Sequence, residues 1–219
     1  MRDYRWQPVS RALITRLLFA GETILLTLIV VVGVQTFVAQ PYQVERESML
    51  DTLQSGEMVI VDKLAPRLGG IARGDIIVFE PPPHPGDDGT PFIKRVIGLP
   101  GDVVKLREGA VVINGVPLDE SGYVYRGQPT LPTDTIATWH VPEGQLFVLG
   151  DHRLDSTDSR IGWLGMVPME RVIGRAAIRY WPMDVAAVFS APTYPELRAA
   201  AATGAPQASP DTQLSMARE

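Results

Sequence analysis

With 219 residues the chain is long enough for one membrane segment and one domain with a real core, and its 20 glycines and 19 prolines favour a turn-rich β architecture over a helical one. It has no cysteine, which excludes a disulfide framework and any thiolate metal site. The net charge of −5 is uneven: up to Glu22 four arginines face two acids, so the remainder carries −7, which argues against nucleic acid as a partner.

From Leu17 to Ala39 the sequence is almost entirely apolar. At about 1.5 Å per residue this run spans roughly 34 Å as a helix, enough for a hydrocarbon core of about 30 Å. Arg2, Arg5, Arg11 and Arg16 precede it, so the positive-inside tendency places residues 1–16 in the cytoplasm and everything after Gln40 outside. Glu22 then lies near the cytoplasmic interface. A cleaved signal peptide is the competing reading. The apolar run is long for that, and cleavage after Ala39 would put bulky Phe37 where a small residue is required, so an uncleaved anchor over 17–39 is expected.

Short runs rich in Val, Ile and Phe follow, bounded by Gly, Pro or Asp: Met58 to Val61, Ile76 to Phe79, Phe92 to Ile97, Val103 to Leu106, Ala110 to Ile113, Gln145 to Leu149 and Val172 to Tyr180. They read as half-buried strands of a sandwich or barrel. Glu108-Gly109 and Asn114-Gly115 can each turn a hairpin. The Pro-rich stretch from Pro81 to Thr90 predicts a loop, and the Ala, Pro, Thr and Ser of 191–219 predict a disordered tail. The domain is thus bounded at 40–190.

Two segments carry chemistry together. Ser48-Met49 lies nine residues beyond Ala39, so even an extended linker keeps the serine within roughly 30 Å of the anchor. Lys94 sits in the Phe92 to Ile97 run, sharing a strand face with Phe92 and Val96 while Arg95 points the other way with Ile93 and Ile97. A serine hydroxyl is a poor nucleophile until a base takes its proton, and a lysine can be that base only if burial keeps it neutral. An isolated serine is usually a turn residue and an isolated lysine usually snorkels at a strand edge; as a pair they suggest a serine/lysine hydrolase at a membrane surface.

Four ordered strings carry a resemblance. Ser48 to Leu53 (SMLDTL), Gly74 to Phe79 (GDIIVF), Lys94 to Asp102 (KRVIGLPGD) and Gly150 to Arg160 (GDHRLDSTDSR) resemble the motifs of type I signal peptidase, the family that cleaves signal peptides from exported proteins. The resemblance implies a mainly antiparallel β catalytic domain of the signal peptidase/LexA-like fold behind one transmembrane helix, with no metal or organic cofactor. It implies Ser48 as nucleophile, Lys94 as general base, and Ser156 as the hydroxyl that hydrogen-bonds and aligns the lysine amine. Asp158 and Arg160 match the family's supporting ion pair, with Gly150 and Asp151 shaping the same turn. Tyr42 to Arg46 and Thr90 to Ile93 match the segments that sandwich an extended cleavage region, with Val44, Ile93 and more weakly Tyr42 at shallow apolar pockets; ordinary core packing is the alternative for each. The implied partners are signal peptides of exported preproteins and the lipid bilayer, and the implied place is the bacterial plasma membrane, with the catalytic domain extracytoplasmic. The sequence carries no signature of an oligomeric state.

Three positions depart from the family pattern. Asp51 stands where proline is usual, and His152 where asparagine is usual, with no catalytic role assigned to it. Arg46 stands where many relatives carry a serine hydroxyl that joins the nucleophile's backbone N–H in holding the oxyanion. Arg46 supplies a charged donor, or it points to solvent or lipid phosphates while the Ser48 N–H serves the oxyanion; the second reading is favoured, because a guanidinium beside Lys94 would crowd the site. Asp151, Asp155 and Asp158 lack the ligand spacing of a calcium loop. The rival functions are a specialised maturation peptidase of a conjugation or secretion system and an inactive tethered peptide-binding protein. LexA-type autoproteases share the dyad, but their DNA-binding half is absent.

Overall fold

The computed structural model describes residues 11–86, 88–133 and 135–202, with side chains from Arg16 onward. Helix α1 (Arg11–Phe37) contains a 22-residue stretch, Arg16–Phe37, within which an 18-residue window reaches a mean hydropathy of 2.4 and is not buried by the rest of the protein. It is long and apolar enough to cross a membrane. Thr23 and Thr27 donate their hydroxyls to the Phe19 and Thr23 carbonyls, at 2.9 and 2.8 Å, so these two hydroxyls are satisfied within the helix.

The rest is mainly antiparallel β. In chain order the elements are β1 (Ala39–Gln43), β2 (Met58–Asp62), the single turn α2 (Leu64–Arg67), β3 (Ile76–Phe79), β4 (Phe92–Gly98), β5 (Val103–Arg107), β6 (Ala110–Ile113), β7 (Val116–Pro117), β8 (Thr138–His140), β9 (Gln145–Leu149), β10 (Val167–Pro168), β11 (Val172–Trp181), β12 (Ala187–Val188) and α3 (Pro195–Ala202). The larger sheet runs β1-β2-β11-β3-β4-β9-β10, with β12 added to β11; the smaller runs β7-β6-β5-β8.

Each predicted strand is present to within a residue or so of its expected ends, because runs of β-branched residues find cover here. The four residues of β3 are all buried: Ile77 and Phe79 enter one core cluster with Phe92 and Val96, while Ile76 and Val78 enter another with Met49, Leu53, Val59 and Val61. A strand in mid-sheet with both faces covered reads as a continuous apolar run. A third cluster, including Ile97, Val104, Ile113, Phe147 and Leu149, binds the small sheet to β4 and β9. Both expected hairpin turns form, with positive φ at Glu108 (54°), Gly109 (81°), Asn114 (51°) and Gly115 (87°).

Two boundaries differ from expectation. The helix stops at Phe37, and Ala39 opens β1 opposite Asp62. Pro41 cannot continue a helix and biases Gln40 toward extended backbone. At the other end the structureless tail expected from 191 is corrected as far as Ala202: Tyr194 is 7% exposed within the third cluster and α3 follows it. The apolar contacts that order this segment come from residues distant in sequence. Residues 203–219 lie outside the described residues.

Candidate active site

Ser48 sits in the turn after β1. Val44 exchanges backbone hydrogen bonds with Glu57 and Gly56, Leu53 N–H donates to Met49 O at 2.8 Å, and Met49 and Leu53 have no exposed surface. The Ser48 turn is therefore pinned from beneath by core residues. Lys94 projects from β4, between β3 and β9, with Ile77 as its cross-strand partner.

These elements bring Lys94 Nζ to 2.6 Å from Ser48 Oγ and 2.9 Å from the Ile93 carbonyl oxygen. Lys94 is 3% exposed and its amine lies 5.3 Å from the centre of the Phe92 ring. Burial pulls its pKa down from the usual 10.5 to about 8; the Asp158 charge opposes the shift, Arg46 adds to it, and Asp151 opposes it. A neutral amine with a hydroxyl at 2.6 Å can accept that hydroxyl's proton.

The loop from Gly150 to Arg160 wraps behind this pair. Asp158 pairs with Arg160 through two 2.8 Å contacts and accepts from the Gly150 N–H at 3.1 Å. Asp151 is gripped by Arg95 through Nε and Nη2, at 2.8 and 2.6 Å, and by Thr52 Oγ1 at 2.5 Å. All four charged groups of the two pairs are almost fully buried, so each guanidinium is matched to a carboxylate by geometry as well as charge. The His152 N–H donates to Ser48 O at 3.0 Å. A methyl group on Gly150 would collide with the Ser156 hydroxyl and with Ser48 O, so both lie close against Gly150. The hydrogen bond expected from Ser156 to the lysine amine is not made: the Ser156 Oγ is buried without a partner among the described residues, and the amine is directed at Ser48 and Ile93.

A cleft of about 320 Å³ opens over the pair, walled by Tyr42, Val44 and Arg46 on one side and Phe92 and Ile93 on the other, with Val59 and Val78 also lining it. Residues of β1, β2, β3 and β4 meet around one cleft although β2 and β3 are separated by β11, so the sheet curls around it. Tyr42, Val44 and Ile93 all line this cleft. Arg46 is half-exposed, 3.7 Å from Asp88, with its guanidinium 5.0 Å from the Phe92 ring centre.

Residues outside the expected set complete the site. Arg95, Thr52 and the buried pair of Arg153 with Glu120 at 2.7 Å hold the Gly150–Arg160 loop in place, and the Phe92 ring lies against the Lys94 amine. Arg95 carried a readable signal: a charge in an apolar strand, facing away from Lys94, must find a buried partner.

A serine and a lysine in hydrogen-bond contact at the base of a groove bordered by an edge strand form the arrangement of a peptide hydrolase. Residues 17–181 match the protein family described as signal peptidase, peptidase S26, and the chain belongs to that family. It is 39% identical over 165 residues to the probable signal peptidase I-2 of Synechocystis sp., covering 74% of this chain and 72% of that protein. It is 41% identical over 168 residues to the signal peptidase I of Leptolyngbya laminosa, covering 74% and 79%. A crystal structure of a signal peptidase I from Enterococcus faecalis aligns with 49% of this chain and 97% of its own at 34% identity, with a TM-score of 0.37.

Proposed function

We infer that the protein is a membrane-anchored serine endopeptidase that removes signal peptides from exported precursors after small residues, at Ala-X-Ala type sites. The observation that carries this reading is the 2.6 Å contact between Ser48 Oγ and a buried Lys94 amine. The substrate lies extended in the cleft between residues 42–46 and 90–93 as an added strand, with Val44 and Ile93, and secondarily Tyr42, lining pockets that suit Ala or Gly at the first and third positions before the cut. Neutral Lys94 takes the Ser48 proton as Oγ attacks the scissile carbonyl carbon. The developing oxyanion faces the Ser48 backbone N–H, which has no hydrogen-bond partner among the described residues. Protonated Lys94 then donates to the leaving amine as the C–N bond breaks. Water hydrolyses the resulting ester, its proton passing to Lys94 and then to Ser48 Oγ.

Asp158 with Arg160, and Asp151 with Gly150, hold the loop that supports Ser48, while Ser156 offers a buried hydroxyl for the amine's remaining proton. No step calls for a metal or organic cofactor. The anchor spans the bacterial plasma membrane with its basic end in the cytoplasm, which places the cleft on the extracytoplasmic side, where signal peptides emerge beside the bilayer.

The test is incubation of the detergent-solubilised full chain with a precursor whose signal ends in Ala-X-Ala, followed by mass measurement of the new N-terminus. Cleavage at that junction is expected, with none by Ser48→Ala or Lys94→Ala. An intact precursor after treatment with the wild-type protein, or product from folded Ser48→Ala, would remove the reading. Processing of several unrelated precursors marks the general enzyme, whereas processing of one alone marks a specialised maturation peptidase.

A further inference from the structure

Behind the catalytic loop lies a buried polar network that the reaction does not use directly, and the C-terminal segment closes it. Tyr194 is buried, with its hydroxyl 3.0 Å from that of Tyr123. Pro192 fills the space above Gly74, where a methyl group would approach its Cδ to 2.5 Å, and Gly74 O in turn accepts from Arg95 Nη1 at 2.8 Å. Glu196 in α3 accepts from the Asp119 N–H at 3.0 Å. Residues 192–196 are thus strapped across the back of the site.

Tyr123 stands where two routes to that site divide. Its ring lies under the Arg95 guanidinium, 4.2 Å from ring centre to Cζ, and Arg95 grips Asp151. Its hydroxyl donates to Glu120 Oε1 at 2.9 Å; Glu120 pairs with Arg153, whose Nε donates to Gly150 O at 3.0 Å. Both routes end at Gly150-Asp151, next to the His152 N–H that holds Ser48 O. Because a phenol has one proton and Tyr123 gives its own to Glu120, the Tyr194 hydroxyl is the donor in the Tyr–Tyr bond. Burial, reinforced by the Glu120 charge, raises the Tyr123 pKa and keeps that proton in place.

We propose that Tyr123 is a positioning residue for the Ser48 turn, fixed in place by Tyr194 of the C-terminal strap. The proposal rests on Ser48 being the nucleophile. It is tested in the full chain in detergent with Tyr123→Phe, Tyr194→Phe and the double variant, each of which removes only hydroxyl oxygens, and with Tyr123→Leu, which also removes the ring. Tyr194→Phe removes the Tyr–Tyr bond and Tyr123→Phe removes that bond and the one to Glu120; each is expected to lower kcat roughly three- to tenfold with KM within about twofold, and the double variant is expected to match Tyr123→Phe, which already lacks both bonds. Tyr123→Leu is expected to lose more. A purely structural role would lower melting temperature and leave kcat of the folded enzyme untouched, and that result would overturn the proposal; so would single effects that add in full.

Amide hydrogen exchange over 147–156 supplies a readout that needs no turnover. Faster exchange in the two single variants is expected, because a loosened Gly150-Asp151 turn no longer holds the His152 N–H steadily on Ser48 O. If the wild-type protein cleaves no precursor, the functional reading fails on that result alone, while exchange still decides this proposal: unchanged protection would overturn it.

Discussion

The activity should rise with pH through the depressed pKa of Lys94, and the size of the rise discriminates between a buried base and an ordinary lysine. Only the neutral amine can accept the Ser48 proton, so kcat/KM follows the neutral fraction of the free enzyme. With a pKa of about 8, that fraction is about one eleventh at pH 7, one half at pH 8 and ten elevenths at pH 9. The expected rise from pH 7 to 9 is therefore about tenfold, levelling off above pH 9. A solvent-exposed lysine near 10.4 would give about a hundredfold rise over the same interval with no plateau. The assay is cleavage of a dilute peptide, itself without a group titrating between pH 6 and 10, by detergent-solubilised enzyme whose fold is monitored at each pH. A rate that falls between pH 7 and 9, or climbs without bending through pH 10, would refute the assignment of a neutral buried lysine as base.

Lys94→Met should stabilise the domain at pH 7 while abolishing turnover. The folded pKa lies below the unfolded one, so burying the amine costs stability in full below about pH 8, and the cost fades as pH rises toward 10.5. The shift corresponds to about 3 kcal/mol, less about 1 kcal/mol for lost hydrogen bonding; a variant no more stable than wild type at pH 7 in denaturant titration would contradict this. Gly150→Ala should cut kcat about a hundredfold with secondary structure retained in circular dichroism, because its methyl group meets the Ser48 backbone oxygen, which cannot move without carrying the nucleophile with it. Near-wild-type turnover would show that the turn yields. Arg46→Ala should change turnover only a few-fold, and Arg46→Ser should keep or raise it, since the guanidinium is engaged with Asp88 and Phe92; a hundredfold fall in folded Arg46→Ala would make Arg46 an oxyanion donor.

What could be read in advance was set by how local its cause is. The long strands were legible because runs such as Ile76-Ile77-Val78-Phe79 need cover on both faces whatever supplies it. Strand β1 was missed because Ala39-Gln40-Pro41-Tyr42-Gln43 has little β character of its own and is held by the register of β2. Likewise Tyr194 is ordered by a core built from residues 97–149, and nothing in its alanine-rich surroundings announces that contact. Ser48 and Lys94 were singled out through their motifs, and the 2.6 Å contact between them follows from the packing of β3 and β4 against the Ser48 turn. The partner of Arg95 lies 56 residues away, and only the folded loop names it as Asp151. The Ser156 bond, carried over from the family, is not formed in this structure, where the hydroxyl is buried without a partner among the described residues.

The alternation of Lys94 and Arg95 along β4 also makes the strand's alignment self-checking. Neighbouring cations on one strand meet opposite fates here: one is led toward neutrality beside a hydroxyl, the other is kept charged between two oxygens of a carboxylate. A slip of β4 by a single residue would exchange them. A guanidinium that cannot lose its proton would then face Ser48, and a lysine without the planar fork of arginine would face Asp151, leaving one donor array unmatched and one charge poorly paired. A misaligned strand would therefore be unfavourable on both faces at once, and the pairing that seats Arg95 on Asp151 also selects the register that sets the lysine beside Ser48.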